Sequence, residues 1–114
     1  SVAHDSHNII TVGCNDDDIA VAVNAIKDSK GGIAVVENGK IKALLELPIA
    51  GLMSDEPLTT VNEKLENAKL SAYELGADKS IDPFMTLSFL SLPVIPSLRI
   101  TTKGVFDAEN WKML

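Results

Sequence analysis

Asn38-Gly39, set between the apolar-rich runs "IAVVE" and "KIKALLEL", constrains the fold of this chain more than any other pair of residues. Asn followed by Gly is the pair best able to hold positive φ at both centres of a type I′ turn, whose twist matches that of two antiparallel strands. A hairpin over residues 33–47 is predicted. In its second arm Ile41, Ala43, Leu45 and Leu47 alternate with Lys42 and Glu46, which places one face on a core and leaves the other partly wet, with Leu44 interrupting the pattern.

The flanks of the hairpin read as helices. Upstream, "NIITVG" (residues 8–13) is short, β-branched and bounded by polar residues and a glycine, so a buried strand is predicted. A helix follows: Asn15, Asp16, Asp17 and Asp18 supply cap oxygens and negative charge for the positive end of the helix dipole, and Ile19, Ala22, Val23 and Ile26 share one face. Lys27 and Lys30 suit its C-terminal end, and Gly31-Gly32 stops it. Downstream, Leu58, Val61, Leu65, Ala68, Ala72 and Leu75 keep a helical period, with Pro57 in the first turn and Gly76 at the end. Thr60-Val61-Asn62-Glu63 is a capping-box pattern that offers a start three positions later.

The last third carries Pro83, Pro93 and Pro96, which forbid one long helix or an uninterrupted central strand. Phe84 to Leu92 fits either an alternating strand or a short helix. Leu98 and Ile100 alternate with Arg99 and Thr101, and Lys103-Gly104 marks a turn toward Val105, Phe106 and Asp107. The expected fold is therefore α/β or α+β: one layered domain over residues 1–114, with helices packed on a mixed β-sheet.

Composition narrows the function. The 114 residues are 46% apolar, enough for one core, and the formal charge of −6 with singly scattered cations argues against a nucleic-acid face or an anionic membrane surface. There is no apolar run of about 18 residues and no basic, apolar leader, so neither a spanning helix nor a signal peptide is expected and the chain reads as cytoplasmic. The lone Cys14 forms no internal disulfide, suits a reducing compartment and is expected as a small buried packing residue.

No self-sufficient catalytic set emerges. The turn "VGCNDDD" has the place of a nucleotide loop, but carboxylates fill the helix start and repel an anion; it also lacks the mid-loop Gly and late Glu of a calcium loop. The run His4-Asp5-Ser6-His7-Asn8 is the densest cluster of ligating and hydrogen-bonding side chains. Two histidines are too few for a zinc site without recruited carboxylates, and Ser6 lacks a Gly-x-Ser-x-Gly elbow. Local evidence leaves two roles open, a polar tie for the chain end and a share of a site completed by something outside this chain. Ser54 and Asp55 fit caps of the following helix, Asp82-Pro83 fits a turn start, and Phe84, Met85 and Phe89 fit a core.

Three stretches, "SVAHDSHNIITVG", "LPIAGLMSDEP" and "DPFMTLSFLSLPVIPSLRIT", together resemble the C-terminal domain of bacterial adenine deaminase, a member of the amidohydrolase superfamily. The similarity covers nearly the whole chain; Cys14 departs from it, standing where a hydroxyl residue such as Thr is expected. The resemblance implies a fragment of an enzyme that converts adenine and water to hypoxanthine and ammonia in purine salvage, by attack of an activated hydroxide on C6 of the purine. The divalent metal, manganese or iron, would belong to an upstream (β/α)₈ barrel, with none bound by the fragment, which would be inactive alone. The implied partners are the chain's own N-terminal barrel, adenine and further copies in a homo-oligomer.

In that frame His4, Asp5, Ser6, His7 and Asn8 form a polar edge facing the barrel, with Met53, Ser54 and Asp55, then Asp82, Phe84 and Met85, lining the same surface. The alternative is a non-catalytic module that braces the barrel or forms the oligomer through apolar segments such as residues 84–95. Ser1-Val2-Ala3 resemble the second half of a cut strand, so the fragment is expected to expose an edge and self-associate.

Overall fold

The computed structural model describes residues 1–3 and 7–114. Its first helix, α1 (Asp16–Asp28), opens where the acidic run predicts: the Asn15 side chain accepts from the Asp18 amide at 2.8 Å. It closes in a Schellman arrangement, with the Gly31 amide on the Ile26 carbonyl at 2.8 Å and the Lys30 amide on the Lys27 carbonyl at 3.0 Å. Lys30 itself takes the left-handed position, with φ 60°, which sequence reasoning had reserved for a glycine.

The two glycines that follow have another duty. A Cβ on Gly31 would strike the Gly51 backbone, and one on Gly32 would strike the Leu45 carbonyl, so the helix-to-strand corner needs bare backbone at both.

The hairpin forms as predicted. β1 (Gly32–Glu37) and β2 (Lys40–Glu46) pair antiparallel, and Asn38 and Gly39 have φ of 52° and 73°. One expectation fails in detail: Ile41 does not share the face of Ala43, Leu45 and Leu47. Val35 pairs with Ala43 but Val36 pairs with Ile41, so Lys42 is the extra residue of a β-bulge, and Ile41 lies with Val36 on the opposite side and is exposed.

Helix α2 (Leu58–Glu74) starts at the earlier of the two expected positions, behind Pro57, and ends at Gly76 in a second Schellman arrangement. The ambiguous segment resolves as a helix. Asp82 caps α3 (Pro83–Ser88), accepting from the amides of Phe84 at 3.1 Å and Met85 at 3.0 Å, and a 3₁₀ turn (Phe89–Ser91) continues it. Pro83 at its first turn favours a helix over a strand, because the missing N–H is one that no helix start uses. Beyond lie β3 (Leu98–Thr101), β4 (Gly104–Asp107) and β5 (Lys112–Met113) in one antiparallel sheet.

A mixed α/β single domain is thus what the chain forms, but its strands divide into two small antiparallel sheets; no parallel pair occurs among the described residues. The predicted strand over residues 8–13 is the reason. It is not paired to any strand here, and Ile9 and Val12 are 43% and 76% exposed. Cys14, on the same stretch, is exposed and so is not the buried packing residue its type suggested.

Both α1 and α2 pack on the hairpin, around Ala25, Ile26, Val35, Leu45 and Leu47, with Ala3 and Ala68 at 0% exposure. Among the described residues no large side chain is fully buried, so the core is thin.

Candidate functional site

Ser1 ties together two parts of the domain that are distant in sequence. Its backbone nitrogen donates to the Gly32 carbonyl at 2.7 Å, and its Oγ donates to the Gly51 carbonyl at 2.6 Å while accepting from the Gly32 amide at 2.8 Å. Ser1 is therefore the junction between the start of β1 and the loop that carries Met53, Ser54 and Asp55. Sequence reasoning missed it; the signal was Gly31 and Gly51, whose missing side chains leave room for Ser1.

His4, Asp5 and Ser6 lie outside the described residues. His7 and Asn8 are exposed; the His7 amide donates to the Ala3 carbonyl at 2.7 Å, with φ 44° at His7 turning the chain. In the loop, Ile49 and Met53 form a one-pair antiparallel bridge around Ala50 and Gly51, whose φ values are 56° and 73°. Met53 is exposed there, and Ser54 accepts the Glu56 amide at 3.2 Å. Neither Ser54 nor Asp55 caps α2, since the residue before it is Pro57 and no side chain caps that end.

Asp55 lines an open cavity of about 490 Å³ with Ser29, Glu46, Pro48, Glu56 and Pro57. Its walls carry three carboxylates, and Lys64 answers one of them, meeting Glu56 at 2.6 Å. That hydrogen bond, helped by the negative field of Glu56, Glu46 and Asp55, raises the Lys64 pKa and outweighs the desolvation that opposes it.

The third group sits elsewhere. Asp82 caps α3 and also meets Lys69 of α2 at 3.1 Å, so it joins two helices. Partial burial pushes its carboxyl up, but the Met85 amide, Lys69 and the Phe84 amide together outweigh that and leave it below the ordinary value. Phe84 is half-buried and Met85 exposed, so Met85 is not the core residue its type suggested. Among the described residues, no hydrogen bond or ion pair links Asp82, Phe84 or Met85 to the loop of Met53, Ser54 and Asp55. Nor is any group of three or more His, Cys, Asp or Glu side chains among them placed to hold a metal ion.

A family model described as the adenine deaminase C-terminal domain matches residues 1–112. The chain belongs to that family. Curated relatives named adenine deaminase are similar along nearly all of it: 50% identical over 114 residues in Bacillus pumilus, covering 100% of this chain, and 53% over 115 residues in Clostridium acetobutylicum, also covering 100%. A third, from Desulfatibacillum aliphaticivorans, is 56% identical over 109 residues, covering 96% of this chain. The alignments cover 20%, 20% and 19% of those relatives, so this adenine deaminase C-terminal domain spans about one fifth of their length.

Proposed function

We propose that this chain is the C-terminal portion of an adenine deaminase, hydrolysing adenine to hypoxanthine and ammonia, and that it closes or braces the active site held by the rest of the polypeptide. The match to the adenine deaminase C-terminal domain over residues 1–112 carries this reading. Such an enzyme serves purine salvage in the cytoplasm. The manganese or iron expected of the family belongs to the barrel; the described residues here do not make a metal site, and no step of the reaction is assigned to them.

This domain's part is positional. Ser1 ties to Gly32 and to Gly51, next to the loop of Met53, Ser54 and Asp55. A cover over a neighbouring pocket would draw on that loop together with His7 and Asn8, which are exposed. Asp82 ties α3 to α2 through Lys69, and Phe84 and Met85 follow it in the first turn of α3.

The test is alanine replacement at His4, Asp5, His7 and Asn8 in the full-length enzyme, with kcat, KM and thermal stability read together. At least a tenfold loss of kcat/KM, about 1.4 kcal/mol, with unchanged melting is expected. Unchanged turnover, KM and stability would remove the reading. A purely structural or oligomer-forming role draws support from the exposure of Met85, Leu90 and Val94. It predicts that Val94→Asp alters the size of the enzyme and leaves kcat per folded subunit intact.

A further inference from the structure

The unpaired segment Asn8–Gly13 is the least explained part of this fold. It is β-branched and apolar, yet among the described residues none of its backbone amides or carbonyls is hydrogen-bonded, and Val12 is 76% exposed. A run of this composition in water leaves apolar surface and a row of strand donors and acceptors unused.

Residues flanking it on both sides are tied to β1 or its turn. Before the segment, Ser1 is tied to Gly32, the first residue of β1. After it, Asp18 on α1 reaches the amides of Gly39, at 2.6 Å, and Asn38, at 3.2 Å, just past the last residue of β1. Ser1 thus lies by the start of β1 and Asp18 just past its end, so the connection between them has the net direction of β1, and α1 runs back toward Gly31 and Gly32. Extended chain, helix and parallel strand in that order are the parts of a crossover unit, which buries its strands in one sheet. Among the described residues the first arm of that unit has no paired neighbour.

The curated relatives supply the room for one: about four fifths of their length lies outside the region this chain matches. We propose that Asn8–Gly13 is a sheet strand whose hydrogen-bonding partner is an edge strand of the remaining polypeptide, so that the domain is joined to the rest of the enzyme through a continuous β-ladder. Six residues make a ladder of about 20 Å, which would hold the run His4 to His7 at one fixed end of it. The proposal rests on the reading that the chain is part of a longer enzyme.

Hydrogen exchange on the full-length protein, read by mass spectrometry over residues 8–13 with adenine turnover assayed on the same sample, tests it. Exchange at least about 100-fold slower than in an unstructured peptide is expected. Free-peptide exchange in an active sample overturns the strand and leaves the deaminase reading standing; slow exchange in a sample inactive on adenine does the reverse. Protection lost on dilution to a monomer assigns the partner to a second copy and also overturns the proposal. Adjacent amides of a strand point to opposite sides, so Ile10→Pro and Thr11→Pro give a second readout. One of the two should abolish protection in its neighbours and the other preserve it, and equal tolerance of both counts against a ladder.

Discussion

The Asp18 carboxylate and the Gly39 amide meet at 2.6 Å, so the first turn of α1 is clamped to the tip of the β1–β2 hairpin. The same carboxylate accepts from Asn38 and from the Asn15 side chain. Those bonds, the Asn15 side chain foremost and then the Gly39 amide, hold the Asp18 carboxyl below its ordinary pKa. Asp18→Ala should lower Tm by a few degrees and speed amide exchange at Asn38 and Gly39. Melting curves and exchange rates indistinguishable from those of the parent would show that the clamp contributes nothing.

The glycines separate by environment. Gly32→Ala forces a Cβ into the Leu45 carbonyl at φ 152° and should cost about 2–4 kcal/mol, whereas Gly39→Ala meets open space and carries only the strain of φ 73°, about 1 kcal/mol. Denaturant titration of the two variants checks the order. Equal losses would mean that the corner is free to shift.

Acid weakens the fold in a definite window. Asp18, Asp78, Asp82 and Asp107 all have carboxyls held below the ordinary value, so the unfolded chain binds protons more readily than the folded one. Their contribution is complete above about pH 4, the unfolded value, and drains away as pH falls through the lower folded values. Asp82→Asn keeps a cap oxygen and removes a charge, so its stability should depend less steeply on pH below 4 than the parent's. A parallel pair of Tm–pH curves would exclude Asp82 from the effect.

Truncating the core at Leu45, 3% exposed on β2 under both helices, should cost about 2–4 kcal/mol in Leu45→Ala by leaving a cavity. Chemical denaturation measures it. A loss under about 1 kcal/mol would mean that the thin core closes around the gap.

Ser1→Ala removes the hydroxyl that links Gly51 to Gly32 and leaves two half-buried backbone groups without that partner, at about 1–2 kcal/mol. In the full-length enzyme it should also raise KM for adenine, because the loop of Met53, Ser54 and Asp55 loses its tie. An unchanged KM with reduced stability would confine Ser1 to a structural role.

Much of this architecture was legible in single residue types. Asn38-Gly39, the acidic start of α1 and Gly76 after α2 each encode a local backbone state, and each appears where the pattern placed it. The Lys42 bulge was not legible, because one extra residue in a strand leaves no trace in composition and shifts only the phase of the alternation. Residues 8–13 show the opposite failure. The buried strand predicted there does not form, because β propensity is only a preference and a strand also needs a partner, which none of the described residues provides. Of the candidate site, Met53, Ser54 and Asp55 were proposed from a loop within a family-like stretch, whereas Ser1 escaped notice because its contacts are with Gly31, Gly32 and Gly51, distant in sequence.

The bulge at Lys42 leaves the cross-strand partners Val36 and Ile41 matched and alters only the path of the arm beyond them. Extra right-handed coil at that point swings the Asn38-Gly39 corner over the start of α1, and Lys42 is left free to reach Glu37 at 3.2 Å and Glu74 at 3.3 Å. Excising this lysine would straighten the ribbon, lift its corner off the Asp18 carboxylate and cut the ionic bridge to the far end of α2. A deletion of one residue would thereby loosen both helices from the ribbon between them.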